Sequence, residues 1–114
     1  MRAFLIAVLA LALLAPAAAA QDAQNPPKMP NSTKGTKKCK TASRFGSSFR
    51  VYLVKGKKRI SCKRARAIVS KPPLERIKGW TYFDWTKGGN GPWSDVYYRK
   101  DLKVSIGAIM REPS

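Results

Sequence analysis

The clearest period-2 pattern begins at Phe49, where Phe49, Val51 and Leu53 alternate with Arg50, Tyr52 and Val54. Such alternation predicts a strand with one buried face. Lys55-Gly56-Lys57-Lys58 supplies a turn with a glycine able to take a positive φ, and Arg59-Ile60 reads as a short return strand. Ser61 is then a helix N-cap, its hydroxyl placed to accept from a first-turn amide. On a helical wheel started at Cys62, residues Ala65, Ile68 and Val69 share the cysteine's side, while Lys63, Arg64, Ala67 and Lys71 lie away from it. Pro72 and Pro73 end the helix, because the residue before a proline is pushed out of helical geometry.

Downstream, 74–79 reads as a linker, and Trp80 to Trp85 is an aromatic strand by composition. The 87–92 stretch, KGGNGP, is a turn, and Trp93 to Tyr98 is the strand returning from it. From Leu102 the apolar positions 102, 104, 106, 108 and 110 alternate with 103, 105, 107, 109 and 111, which predicts a strand lying centrally in the core. The sum is an α+β domain of order β-β-α-β-β-β, an antiparallel sheet with one helix packed on it.

The N-terminal end is different. Arg2, an apolar run from Ala3 to Leu14 and Ala18-Ala19-Ala20 have the form of a signal peptide, 1–20, cleaved after Ala20. The run is shorter than the about 20 apolar residues of a spanning helix, and no second one follows, so the mature chain is expected to be exported without an integral membrane segment. Residues 21–38, QDAQNPPKMPNSTKGTKK, are polar and without apolar period, and are expected to form a disordered leader carrying Lys28, Lys34, Lys37 and Lys38. The ordered domain is then 39–114, with a short extended piece at 39–48 broken at Gly46.

Export changes the meaning of Cys39 and Cys62, the two cysteines of the chain. An even count in an oxidising compartment indicates a bridge, and a metal site lacks partners because there is no histidine and no further cysteine. Closing the Cys39–Cys62 loop would contribute roughly 3 kcal/mol on the chain-entropy model.

Charge is distributed unevenly. Setting aside Arg2 leaves 22 of the 23 basic residues against 6 acidic ones, a net +16. From Lys28 to Lys71 there are 15 basic residues and no acidic one; from Pro72 onward there are 7 basic and 5 acidic. Such a block raises the local concentration of nucleic acid, anionic lipid or acidic envelope polymer, although the same charge also serves solubility alone.

Catalysis is argued against by composition. Without histidine, the usual base for a serine or cysteine nucleophile is missing, and no cofactor motif is present. Asp84 and Asp95 flank the glycine turn and superficially resemble a glycosidase pair, yet carboxylates at such places commonly close turns or meet a lysine. Gly56-Lys57-Lys58 lacks the spacing of a phosphate loop. Binding has better material: Trp80, Tyr82, Phe83, Trp85, Trp93, Tyr97 and Tyr98 fall within 19 residues. Their alternate members belong to the core; the others would be available to stack bases or sugars, at about 1 to 3 kcal/mol per base. The candidate surface therefore combines Arg50, Lys57, Lys58, Arg59, Lys63 and Arg64 with Trp85 and Trp93.

The run Phe49-Arg50-Val51, Gly56, Ser61-Cys62, Ala65-Arg66 and Gly79-Trp80-Thr81 resembles a pattern in small secreted bacterial proteins of actinobacterial type. The resemblance spans about Cys39 to Trp85 and implies export and the Cys39–Cys62 bridge, with no activity attached. Many of those proteins carry a second cysteine pair, and Tyr82 stands where it would begin. The expected function is thus a secreted, non-enzymatic, disulfide-stabilised basic domain that associates with polyanions. The alternatives are a membrane-active or growth-inhibiting protein and a structural or regulatory module for an acidic exported partner.

Overall fold

The computed structural model describes residues 25–73 and 75–111. The expected signal peptide, the start of the expected leader with Asp22, Leu74 of the expected linker, and Glu112 lie outside them. Six strands, β1 (Lys37–Lys38), β2 (Ala42–Arg44), β3 (Ser47–Lys55), β4 (Thr81–Asp84), β5 (Asp95–Arg99) and β6 (Val104–Arg111), form one antiparallel sheet. The helix α1 (Cys62–Ser70) lies between β3 and β4 in the chain. The sheet order is β1-β3-β6-β5-β4, with β2 also on β3. The α+β class, the single described helix and the central position of the last strand are as the alternation predicts.

The first hairpin sits elsewhere than expected. Arg59-Ile60 is not a strand, because β3 has no edge left for it: β6 occupies one side and β1 with β2 the other. Instead the chain turns, with Gly56 at φ 76° and the Arg59 amide donating to the Gly56 carbonyl at 2.9 Å. The hairpin lies before β3, where Ala42 to Arg44 pair with Phe49 to Ser47.

Alternation assigns the two faces. Phe49, Val51, Leu53, Tyr97, Ile106 and Ala108 pack against Ala65, Ile68 and Val69 of α1. Ser61 caps the helix as expected, accepting from the Arg64 amide at 3.1 Å. The Cys39–Cys62 disulfide, Cα–Cα 5.4 Å, pins the first helical turn to the strand edge.

The opposite face holds a second, smaller core of Met29, Tyr52, Trp93 and Val96. This corrects the expectation of a disordered leader: from 25 onward the described part is a packed arm. Met29 is buried, the Asn90 side-chain amide donates to the Met29 carbonyl at 2.7 Å, and Trp93 Nε1 donates to the Pro30 carbonyl at 2.9 Å. Lys37 and Lys38 then pair with Leu53 and Tyr52. The physical reason is the sheet's apolar second face, which a helix on the first face leaves open and which the arm closes. Gly107 permits the closure, since a Cβ there would collide with the Trp93 ring.

Candidate functional site

Topology, rather than any motif, gathers the cations. β3 ends at Lys55, whose register partner is Ser105 at the start of β6, and β5 ends at Arg99 opposite Val104. The 56–61 turn and the 100–103 turn therefore lie at the same end of the sheet. They touch: Gly56 packs on Val104 and the Lys103 carbonyl. The arm reaches this end too, because Lys57 Nζ donates to the Gly35 carbonyl. The result is a basic rim. Lys57, Lys58 and Arg59 come from the first turn, Lys100 and Lys103 from the second, and Lys34 and Lys37 from the arm; all are exposed, and Arg64 follows in the first turn of α1. Asp101 is the acidic residue in these turns, and it is engaged by Arg99 at 2.9 Å. That contact holds the Asp101 carboxyl below the usual carboxylate range.

Of the sequence-predicted residues, Lys57, Lys58 and Arg59 are thus brought together, with Arg64 next to them in the chain; Lys63 is exposed beside Thr41 to Ser43 on the β2 flank of α1. Arg50 is not: it is exposed in the middle of β3, on the sheet face away from α1, opposite Ile109. The two tryptophans are corrected as well. Trp93 is 3% exposed, edge-on to Tyr52 at 5.6 Å, and filled in behind by Met29; it cannot stack a ligand. Trp85 is half-buried in the β4–β5 loop, its Nε1 donating to the Asn90 carbonyl at 2.9 Å, at the end of the sheet away from the rim. Its loop starts where β4 ends, whereas the rim surrounds where β4 begins. The aromatic cluster is core and flank. Lys34, Lys37, Lys100 and Lys103 escape a reading of the sequence because they are far from the 57–64 run along the chain and join it only through strand pairing.

The carboxylate pair resolves into two separate roles. Asp84 and Asp95 are register partners across the β4–β5 hairpin. Asp95 is buried and committed: Arg44 Nη2 lies at 3.5 Å, and the Ser94 and Tyr82 hydroxyls donate to it at 3.1 and 2.5 Å. Asp84 is exposed and accepts from the Thr86 hydroxyl at 2.6 Å and from its amide, which with nearby Lys87 lowers its carboxyl's pKa. Arg44 Nη1 also donates to the Tyr97 hydroxyl at 2.7 Å and the Val69 carbonyl at 3.2 Å. Burial pushes Tyr97 up to about 12, aided by the charge of Asp95 and opposed by Arg44. Tyr82 is raised further, by burial first and then by its bond to Asp95. Two neutral phenols and a closed ion pair make a structural clamp between β2, β4, β5 and the end of α1.

Among the described residues, no group of three His, Cys, Asp or Glu side chains is placed to hold a metal, and no helix is long and apolar enough to cross a membrane. Comparison with protein-family models, curated proteins and solved structures finds no match for the chain.

Proposed function

We propose that this is an exported, non-enzymatic domain that binds polyanions through the basic rim. The observation carrying the reading is the convergence of three separate segments, the 56–61 turn, the 100–103 turn and the arm, on one end of the sheet with exposed cations and one engaged carboxylate. Folding energetics do not account for it. Arg64 stands in the first turn of α1, which carries no acidic residue, and a cation there opposes the helix dipole by about 0.3 to 1 kcal/mol. Close like charges in the neighbouring turn add repulsion. An external polyanion relieves both.

With Trp93 sealed in the core and Trp85 at the far end, the contact would be made to backbone charge and not to bases. Low sequence preference and strong salt dependence follow. The disulfide supports an oxidising compartment and hence the export reading. The direct test is titration of the oxidised chain with single-stranded DNA, an acidic polysaccharide and anionic vesicles over a salt series. Binding with a steep inverse salt dependence and little change in tryptophan emission supports the reading. Absence of binding to every polymer at low salt removes it.

Phe45 favours a second reading, association with an anionic lipid surface, because it is 81% exposed at the tip of the β2–β3 hairpin. It lies at the opposite end from the rim, so lipid binding through Phe45 predicts vesicle association that is silent in tryptophan emission and is lost on Phe45→Asn while DNA binding is kept.

A further inference from the structure

We propose that the outer edge of β4 docks an extended acidic peptide segment of another protein as an added strand. β4 is the last strand of the sheet, and no described strand pairs with its outer side. The direction of its backbone groups follows from the register. Trp85 N–H donates to the Ser94 carbonyl at 3.1 Å, one step beyond the Asp84–Asp95 pair. In an antiparallel ladder the bonded residues alternate, so the amides and carbonyls of Tyr82 and Asp84 point away from β5, into the position of the next strand.

Added strands bind through the main chain and are selected through pockets for alternate side chains. β4 is flanked by such recesses on both faces. On the α1 face a hollow of about 490 Å³ is lined by Ile77, Trp80 and Tyr82 together with Arg76, Lys78 and Glu75, the last of which is paired with Lys71 at 3.6 Å. On the other face a hollow of about 420 Å³ is lined by Phe83, Trp85, Asp84 and Lys87, with Pro26 of the arm beside them. Natural edges are commonly blunted by charged side chains, proline or a bulge; β4 reads Thr-Tyr-Phe-Asp, with no proline or lysine. Its shortness and the exposed Asp84, which Lys87 approaches at 3.9 Å, are its protection.

Charge selects the partner. Arg76 and Lys78, before the strand, are exposed and have no carboxylate partner among the described residues. Lys87, after it, has an 82% exposed side chain and only a 3.9 Å approach to Asp84. An incoming strand with carboxylates at both ends and apolar side chains between meets cations at both ends and a ring-lined hollow on each face. A second copy of this basic chain would instead set Arg76, Lys78 and Lys87 against their own counterparts. This surface adjoins the rim at the start of β4, where Gly79 packs on the Arg99 side chain, but it uses different cations and a strand edge that the rim lacks.

The probe is a capped hexapeptide with glutamate at each end and alternating valine and phenylalanine between, added to the oxidised chain. The expected result is saturable binding with slowed hydrogen exchange at the Tyr82 and Asp84 amides. N-methylating the peptide residues that face β4 preserves their charge and removes their donors, and should weaken binding by about tenfold or more. Asp84→Pro, which deletes an outward amide without touching the β5 ladder, should weaken it similarly. Neutralising Lys58 and Arg59 should leave it unchanged. Equal binding of the N-methylated peptide, or of a version with lysine at its ends, overturns the proposal. So does protection of Tyr82 and Asp84 by self-association before any peptide is added.

Discussion

The Arg44 guanidinium and the Asp95 carboxylate form the buried ion pair of the described fold, 3.5 Å apart with side chains 9% and 7% exposed. Arg44 also lies 4.4 Å from the Phe49 ring centroid, so one side chain joins the β2–β3 hairpin, the helix end and β5. Removing a single partner of such a pair strands the other in a low-dielectric interior, at about 3 to 5 kcal/mol. Asp95→Leu or Arg44→Met alone should therefore lower the unfolding midpoint severely, whereas the two changes together should recover much of the loss. Urea denaturation of the two single variants and the double variant measures the coupling.

The phenols around Asp95 give the fold an alkaline limit. Tyr97 is raised to about 12 and Tyr82 is raised as well, from an unfolded value of about 10. A raised folded pKa means that the neutral form is favoured in the native state. The associated stability is fully present below about pH 10 and declines as pH rises toward the folded values. Absorbance of ionised tyrosine should show Tyr82 and Tyr97 titrating late, and Tyr82→Phe should remove one late step. Loss of no late step in that variant while the protein remains folded would contradict this.

The arm should be part of the cooperative unit. Met29 is 7% exposed and packs beside Tyr52 and Trp93, so Met29→Ala should cost about 2 to 5 kcal/mol. A chain beginning at Cys39 should lose more and show red-shifted tryptophan emission as Trp93 meets water. Guanidinium unfolding followed by fluorescence reads both effects.

Which features were legible in the sequence follows from how local their causes are. Ser61 and Cys62 mark the helix start because capping is settled within three residues, and the 102–111 alternation marks β6 because a buried strand repeats every two. The helix's apolar side, the disulfide and the Lys57 to Arg59 part of the rim are equally local. Met29 is a lone apolar residue in a polar run, and nothing near it in sequence announces Trp93 as its partner 64 positions away. Arg59-Ile60 has strand-like composition, but strand identity needs an unoccupied edge, and β3 had none. Trp93 alternates like an exposed ring only if the sheet has one covered face; the arm gives it two.

Rim cations should each release counterions independently on binding a polyanion. The variant Lys58→Gln, Arg59→Gln, Lys100→Gln changes three exposed side chains, so folding stability should stay within about 0.5 kcal/mol per site. The slope of log affinity for single-stranded DNA against log salt should fall in magnitude by about 2, at about 0.7 for each phosphate no longer neutralised. An unchanged slope, measured by anisotropy across a salt series, would place the polyanion elsewhere.

Phe45 tests whether an exposed ring is being held at a cost. Arg44 pairs with Ser47, leaving a two-residue turn in which Phe45 and Gly46 have φ values of 51° and 79°. Positive φ at both positions is the backbone of the tight hairpin turn that favours Asn-Gly. A bulky side chain in that region carries a penalty of about 1 to 2 kcal/mol, and at 81% exposure Phe45 recovers little of it by burial. Phe45→Asn should therefore raise stability by about 0.5 to 1 kcal/mol, since asparagine tolerates this region. Thermal unfolding measures the gain. A stabilised variant that binds DNA normally but no longer associates with anionic vesicles would assign the ring to a lipid surface. A destabilised variant would mean that Phe45 makes contacts its exposure does not suggest, and the strain argument would fail.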